Sequence, residues 1–272
     1  MKTLKDHLIL FDAECPMCRM YTSAFVGAGL LDKGGRQAYQ EFSVSACPVL
    51  DRQRAADEIA LVNLKTGEVT YGIASLFKVI SVVLPFFKPL FLFRPFVWLM
   101  SKIYAFISFN RRVVIPAPYP GTDFEIQPGF RLGYRIAYLF LTWIITAFIL
   151  SGYARPMGEF LPAGHPLREW LVCGGQIFFQ GFVIAMVDRK KLWDYLGNMM
   201  TISFAGALLL LPLLLVACWI NVKPVCFVIW FLIVAGIMLT EHIRRSRLLA
   251  ISSILTMSWV LYRVVILLLV LE

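Results

Sequence analysis

The fold predicted here has two unlike parts: an α/β N-terminal unit over residues 1–115, and an all-α bundle of about five transmembrane helices over 131–272. Three observations lead to it. The 272 residues are 59% hydrophobic and only 16% charged, with a mean hydropathy of +0.74, whereas soluble domains are nearer half apolar and a quarter charged. The apolar excess is uneven: residues 1–72 read as ordinary globular sequence and 131–272 as long apolar runs broken by short basic loops. The length also suits two domains.

In the first part, His7–Asp12 reads as a short buried strand. Met17 to Leu31 follows as a helix with Met20, Ala24 and Leu31 at helical spacing. Gly34-Gly35 turns the chain, and Gln37–Phe42 and Glu58–Leu64 are further strands. Lys65-Thr66-Gly67 makes a hairpin-like turn into Glu68–Tyr71. Strand, Cys-x-x-Cys, helix, strands, hairpin and helix is the order of a compact thioredoxin-like unit.

Residues 73–112 are very apolar, yet Pro85, Pro89, Pro95, Lys88 and Arg94 interrupt them. A spanning helix needs about 20 apolar residues without such breaks. Two helices, roughly 73–84 and 96–109, would close the unit, leaving Phe86, Phe87, Phe91, Phe93 and Trp98 to rest on a bilayer interface. A re-entrant hairpin dipping into lipid is the alternative. A Pro/Gly-rich linker is expected over 116–130.

Five spans are expected at about 131–151, 169–187, 196–220, 224–240 and 249–271. Arg189, Lys190 and Lys191 occupy the 188–195 loop, and Arg244, Arg245 and Arg247 the 241–248 loop. The segments at 152–168 and 221–223 carry only Arg155, Arg168 and Lys223. Basic loops stay on the cytoplasmic side, so residues 1–130 are expected in the cytoplasm and Glu272 outside. The expected location is a bacterial inner (plasma) membrane. The apolar core of MKTLKDHLILFDAEC, Leu8 to Phe11, is too short for a signal-peptide core. The net charge of +9 collects at helix ends as topology signals do, which argues against nucleic-acid binding.

Chemistry is expected at Asp12-Ala13-Glu14-Cys15-Pro16-Met17-Cys18, where a strand ends and a helix begins. Free N–H groups and the helix dipole would stabilise a thiolate on an outward-pointing Cys15, lowering its pKa and making it the nucleophile. Pro16 suits the first helical turn, having no N–H to lose. Cys18, partly covered by the helix, would resolve the mixed disulfide. Asp12 would tune the thiol or accept a proton, or else cap the turn. Half of a zinc site and an inactive, vestigial pair are the alternatives. Zinc wants four ligands, however, and His7 and Cys47 form no second pair. His7, His165 and His242 are dispersed, so no metal site is expected, nor any other cofactor.

At these residues the chain resembles the DCC family of thiol–disulfide oxidoreductases, named for its Asp-Cys-Cys signature. The likeness runs through Asp12, Cys15, Cys18, Glu58–Asn63, Gly67, Gly72-x-Ala74 and Tyr104 to Asn110-Arg111, covering about residues 7–114. It implies a thioredoxin-like fold and a dithiol active site. Two departures stand out. Ala13 and Glu14 replace the family's frequent Gly followed by Asp or another polar residue. Arg54-Ala55-Ala56-Asp57 brings no proline before the third strand, where thioredoxin-like folds usually place one opposite the dithiol.

Of the six cysteines, Cys47 is isolated, and Cys173, Cys218 and Cys226 fall near far-side helix ends. The last three form either an outer redox couple or small apolar packing residues. Arg263 lies well inside the last span, as a functional residue or one snorkelling to the outer interface. The expected activity is membrane-anchored thiol–disulfide exchange with a protein or small-molecule disulfide or thiol, in contact with the lipid bilayer. The alternative is a non-catalytic or transport-related membrane subunit, bound to a membrane partner protein, with a redox-sensing or docking dithiol.

Overall fold

The structure, a computed structural model, describes residues 3–43, 47–116, 126–162 and 165–271. It divides into two compact units, the first ending at Tyr134 and the second beginning at Arg135.

The first unit is built on a four-stranded mixed sheet in the order β2-β1-β3-β4. β1 (His7–Phe11) is buried along its whole length. It pairs in parallel with β2 (Arg36–Ala38), Ile9 lying opposite Arg36, and antiparallel with β3 (Ala60–Asn63), Ile9 lying opposite Leu61. β4 (Val69–Tyr71) completes the hairpin with β3. Side chains alternate across a strand, so Leu8, Leu10, Ala60 and Val62 enter one core with Tyr39, Phe42 and Ala56. Ile9 and Leu61 enter another with Leu31, Ile59 and Val79. A strand covered on both faces has to be apolar throughout, which accounts for the unbroken run Leu8-Ile9-Leu10-Phe11.

α1 (Pro16–Gly27) connects β1 towards β2, and α3 (Gly72–Val83) follows β4. The second strand is shorter than the expected 37–42, because Gln40 and Glu41 already turn. Two short helices were not expected from the sequence: Lys88–Leu92, and α2 (Arg52–Asp57), capped by Asp51, whose carboxylate accepts from the Arg54 N–H at 2.9 Å.

The 73–112 region folds as α3, a 3-10 turn at Pro85–Phe87, α4 (Lys88–Leu92) and α5 (Arg94–Val114). α5 is longer at its C-terminal end than the expected 96–109. The Pro85–Leu92 and Arg94–Val114 segments meet at 91°, a kink located by Pro95. Most of the expected linker, 117–125, lies outside the described residues. Its second half is tied down, with Ile126 O accepting from Tyr39 at 2.9 Å and Gln127 O from Gln53 at 3.0 Å. The folded unit therefore runs past the expected boundary at 115.

The second unit contains α6 (Leu132–Ala154, entering from the first unit), α7 (Arg168–Val187), α8 (Leu192–Ala217), α9 (Pro224–Leu248) and α10 (Ile254–Leu271). Among the described residues four helices, α6 to α9, are long and apolar enough to cross a membrane, or up to five if the bent pair counts as one. The expected fifth span at 249–271 is shorter than proposed. Ala250 adopts a left-handed φ of 49°, and the chain re-enters helix only at Ile254. Arg244, Arg245 and Arg247 sit in the last turns of α9 rather than in a loop. Glu272 lies outside the described residues.

Several buried polar groups in this unit pair with one another, although neither side-chain polar atom of the buried Gln176 has a partner among the described residues. The Tyr195 hydroxyl donates to Gln180 Oε1 at 2.6 Å and lies 3.2 Å from His242 Nε2. Arg245 donates to Asn198 at 3.0 Å and to Glu241 at 2.7 Å. Arg263 lies over the Trp259 ring at 5.4 Å. Cys173 is buried, whereas Cys218 and Cys226 are exposed, and none of the three is in a disulfide.

Gly72 opens α3 with φ +59°, and a Cβ there would strike the Glu58 carboxylate. A left-handed conformation costs a side-chain-bearing residue about 1–2 kcal/mol before any collision. Gly72→Ala should therefore lower the thermal midpoint of the first unit, read by differential scanning of the full chain in detergent. An unchanged scan would contradict this account of the turn.

Candidate active site

β1 delivers Asp12 at the edge of the sheet, and the chain turns at once into α1. Cys15 is the N-cap of α1, Pro16 occupies its first turn, and the Cys18 N–H donates to Cys15 Sγ at 3.3 Å. The local motif thus folds as its residue types require. A cap side chain satisfies one of the helix's free N–H groups, and here that acceptor is sulfur. The two sulfurs are within hydrogen-bonding reach of each other.

The expected exposure of the pair is not what the fold provides. Cys15 is 0% exposed and Cys18 2%, both packed with Phe11, Met17 and Tyr21. The outward-pointing Cys15 of the sequence reading is thus covered, because Phe11 of β1 and Met17 and Tyr21 of α1 pack around the pair.

Asp12 is buried and fully engaged. Its Oδ1 accepts from the Glu14 N–H at 3.1 Å and from Gln40 Nε2 at 3.0 Å. Its Oδ2 accepts from Arg111 at 3.2 Å and Arg112 at 2.9 Å. Gln40 returns to the same loop, accepting from the Ala13 N–H at 3.2 Å. Burial alone would raise the Asp12 pKa, but the charges of Arg112 and Arg111 and these hydrogen bonds hold it below the ordinary carboxylate value. Of the roles expected for Asp12, capping the turn is present. Accepting a proton near neutral pH is opposed by its ion pairs.

Arg111 was not among the expected site residues. Its guanidinium is buried, donating to Ala56 O at 2.6 Å, Asp57 O at 2.8 Å and Ser108 Oγ at 2.9 Å besides Asp12. It meets the backbone just before β3, in the segment that lacks a proline. Arg112 reaches Glu14 at 3.0 Å as well as Asp12. Tyr104, also on α5, accepts the Ile59 N–H at 3.0 Å. The only sequence signal for this set was Asn110-Arg111-Arg112 itself, and nothing in its local spacing points at a residue 99 positions away.

The two thiols titrate as a pair. A hydrogen bond from the Cys15 thiol lowers Cys18 to about 7 against the effect of burial, and Arg111 and Tyr21 act in the same direction. That same bond, burial and repulsion from a Cys18 anion push Cys15 up. The Cys18 backbone N–H on Cys15 Sγ opposes this assignment, favouring an anion on Cys15 instead. A hydrogen bond and mutual repulsion between two adjacent sulfurs favour one charge on the pair over two. Among the described residues, no group of three or more His, Cys, Asp or Glu side chains could hold a metal ion. In comparisons with family models, curated proteins and solved structures, nothing matches this chain.

Removing one partner from a buried ion pair costs about 3–5 kcal/mol. Arg111→Met should therefore destabilise the first unit by an amount of that order. It should also move the thiolate titration, followed by absorbance at 240 nm, upward from about pH 7. A titration left in place would remove Arg111 from the site. Acid should act through Asp12: its depressed pKa contributes stability that is complete above about pH 4 and is lost as pH falls through the depressed value. Asp12→Asn should flatten that acid limb of the thermal midpoint against pH.

Proposed function

We propose that this chain is a membrane-anchored thiol–disulfide oxidoreductase whose dithiol unit is thioredoxin-like. The observation that carries this reading is the geometry at the opening of α1, where Cys15 is the N-cap, the Cys18 N–H donates to its sulfur at 3.3 Å, and the buried Arg111 guanidinium holds Asp12 of the same loop. A thiolate is the reactive form of cysteine. The sheet supports the fold assignment: parallel β1 and β2 joined through α1, then an antiparallel β3–β4 hairpin leading into α3. It also agrees with the resemblance to the DCC family.

In the proposed cycle, a Cys15 thiolate attacks one sulfur of a substrate disulfide R–S–S–R′. A Cys15–S–S–R bond forms and R′–S⁻ leaves. Cys18, as thiolate, then attacks Cys15 Sγ and releases R–S⁻. The substrate gains two electrons and becomes two thiols, and the protein dithiol becomes a disulfide. Asp12 and Gln40 act as positioning residues for the loop. In a reducing cytosol the dithiol form is the expected resting state, which favours reduction of the substrate.

Orientation follows from charge. Arg189–Lys191 form a turn between α7 and α8, and Arg244, Arg245 and Arg247 close α9. Basic helix ends of this kind remain cytoplasmic, placing the dithiol unit in the cytoplasm. A bacterial inner membrane is the setting in which we place it.

The burial of both sulfurs favours a second reading, a redox-sensing or docking module on a non-catalytic or transport-related membrane subunit. The two separate by experiment. In the full chain, Cys15→Ser should abolish reduction of a model disulfide, and Cys18→Ser should accumulate a mixed disulfide at Cys15. If both variants retain full activity, the enzyme reading fails. Should the trapped adduct appear at Cys18 in Cys15→Ser instead, the roles of the two sulfurs are exchanged.

A further inference from the structure

Between residues 72 and 115 there is no Asp or Glu, while Lys78, Lys88, Arg94, Lys102, Arg111 and Arg112 are all present. The same stretch is unusually apolar on its outside. Phe86 is 86% exposed, Leu92 80%, Trp98 64% and Phe93 57%. Leu99, Ile103 and Ile107 continue the exposed stripe along α5. Soluble surfaces rarely carry a contiguous apolar patch of this kind.

The patch is held rigidly from beneath. Phe77 of α3 stacks on Phe91 at 4.3 Å and on Phe96 at 5.9 Å, and Phe87 stacks on Phe91 at 6.2 Å. These inward rings brace the 91° bend, so the outward ones are presented as a fixed wedge.

Length decides how deep the wedge can go. Ser108, Asn110 and Arg111 are buried in the folded unit, and Ser108 and Arg111 both bond Asp57 O. Tyr104 accepts the Ile59 N–H as well, which leaves α5 clear of the sheet over 94–103, about 15 Å at 1.5 Å per residue. A hydrocarbon core is about 30 Å thick, and Lys102 falls within the free stretch, exposed. The free part of α5 is too short to cross on its own.

We infer that the α4–α5 wedge docks into one leaflet of an anionic bilayer, with Phe86, Leu92, Phe93 and Trp98 among the acyl chains and Lys88, Arg94 and Lys102 on lipid phosphates. Apolar insertion with basic residues at headgroup level is how interfacial helices bind. Exposed cations without any acid fit a negative lipid surface. α5 also carries Arg111, so the helix that meets the lipid is the helix that holds Asp12 and flanks the dithiol. The inference rests on the membrane reading of α6–α9.

The test uses the full chain in liposomes with a membrane-soluble aryl diazirine, the carbene adducts being mapped by mass spectrometry. In phosphatidylglycerol-containing liposomes, residues 86–98 should be labelled as heavily as Leu232 and Ile233 of α9. Met20 and Leu64, exposed apolar residues elsewhere in the first unit, should stay clean. Labelling of 86–98 should fall several-fold in pure phosphatidylcholine and in the Lys88→Gln/Arg94→Gln/Lys102→Gln variant. If 86–98 is labelled no more than Met20 and Leu64 while α9 is labelled, the docking inference is overturned. Equal labelling in both lipids overturns the anionic preference. A clean α9 overturns the membrane reading itself.

Discussion

The first unit depends on one buried ion pair, in which Asp12 at the end of β1 meets Arg111 and Arg112 at the end of α5. A charge taken out of water is costly unless it is matched and fully hydrogen-bonded. Here the matching is nearly complete. Asp12 accepts four hydrogen bonds, and Arg111 caps the carbonyls of Ala56 and Asp57 as well as Ser108. The pair contributes little net stability by itself. What it fixes is geometry, because any displacement of α5 would leave buried charge unpaired.

That constraint organises the chemistry around it. Asp12 is held ionised and occupied, which fixes the loop leading into Cys15 and leaves the carboxylate poorly suited to carry protons. Arg111 is placed where its positive charge favours a thiolate on the sulfur pair. The same guanidinium stands against the strand-preceding segment at Ala56-Asp57, which contains no proline.

The second unit follows a different logic. Its helices α6 to α9 are long and apolar enough to cross a membrane, and several of their polar residues pair in the interior. Tyr195 bonds both Gln180 and His242, and Arg245 bonds both Asn198 and Glu241. Gly206 lets Met238 of α9 lie directly against α8, the kind of close approach that small residues permit between helices.

Much of this was legible before the fold. Composition identified the long apolar helices, because lipid demands a continuous run that no other environment explains. Asp12 to Cys18 was legible because a strand, a cap and a Pro at the first turn are local rules, satisfied within a few residues. The sequence missed α2, whose six residues are too few to show a period. It overextended the last span, since the left-handed Ala250 is invisible in hydropathy. Only the tertiary structure set Arg111 and Arg112 on Asp12, buried both sulfurs and bent α4 against α5. Those contacts join residues about a hundred positions apart or depend on which face an aromatic stack covers. Chain spacing carries no record of either, because packing selects them only once the sheet and its helices are in place.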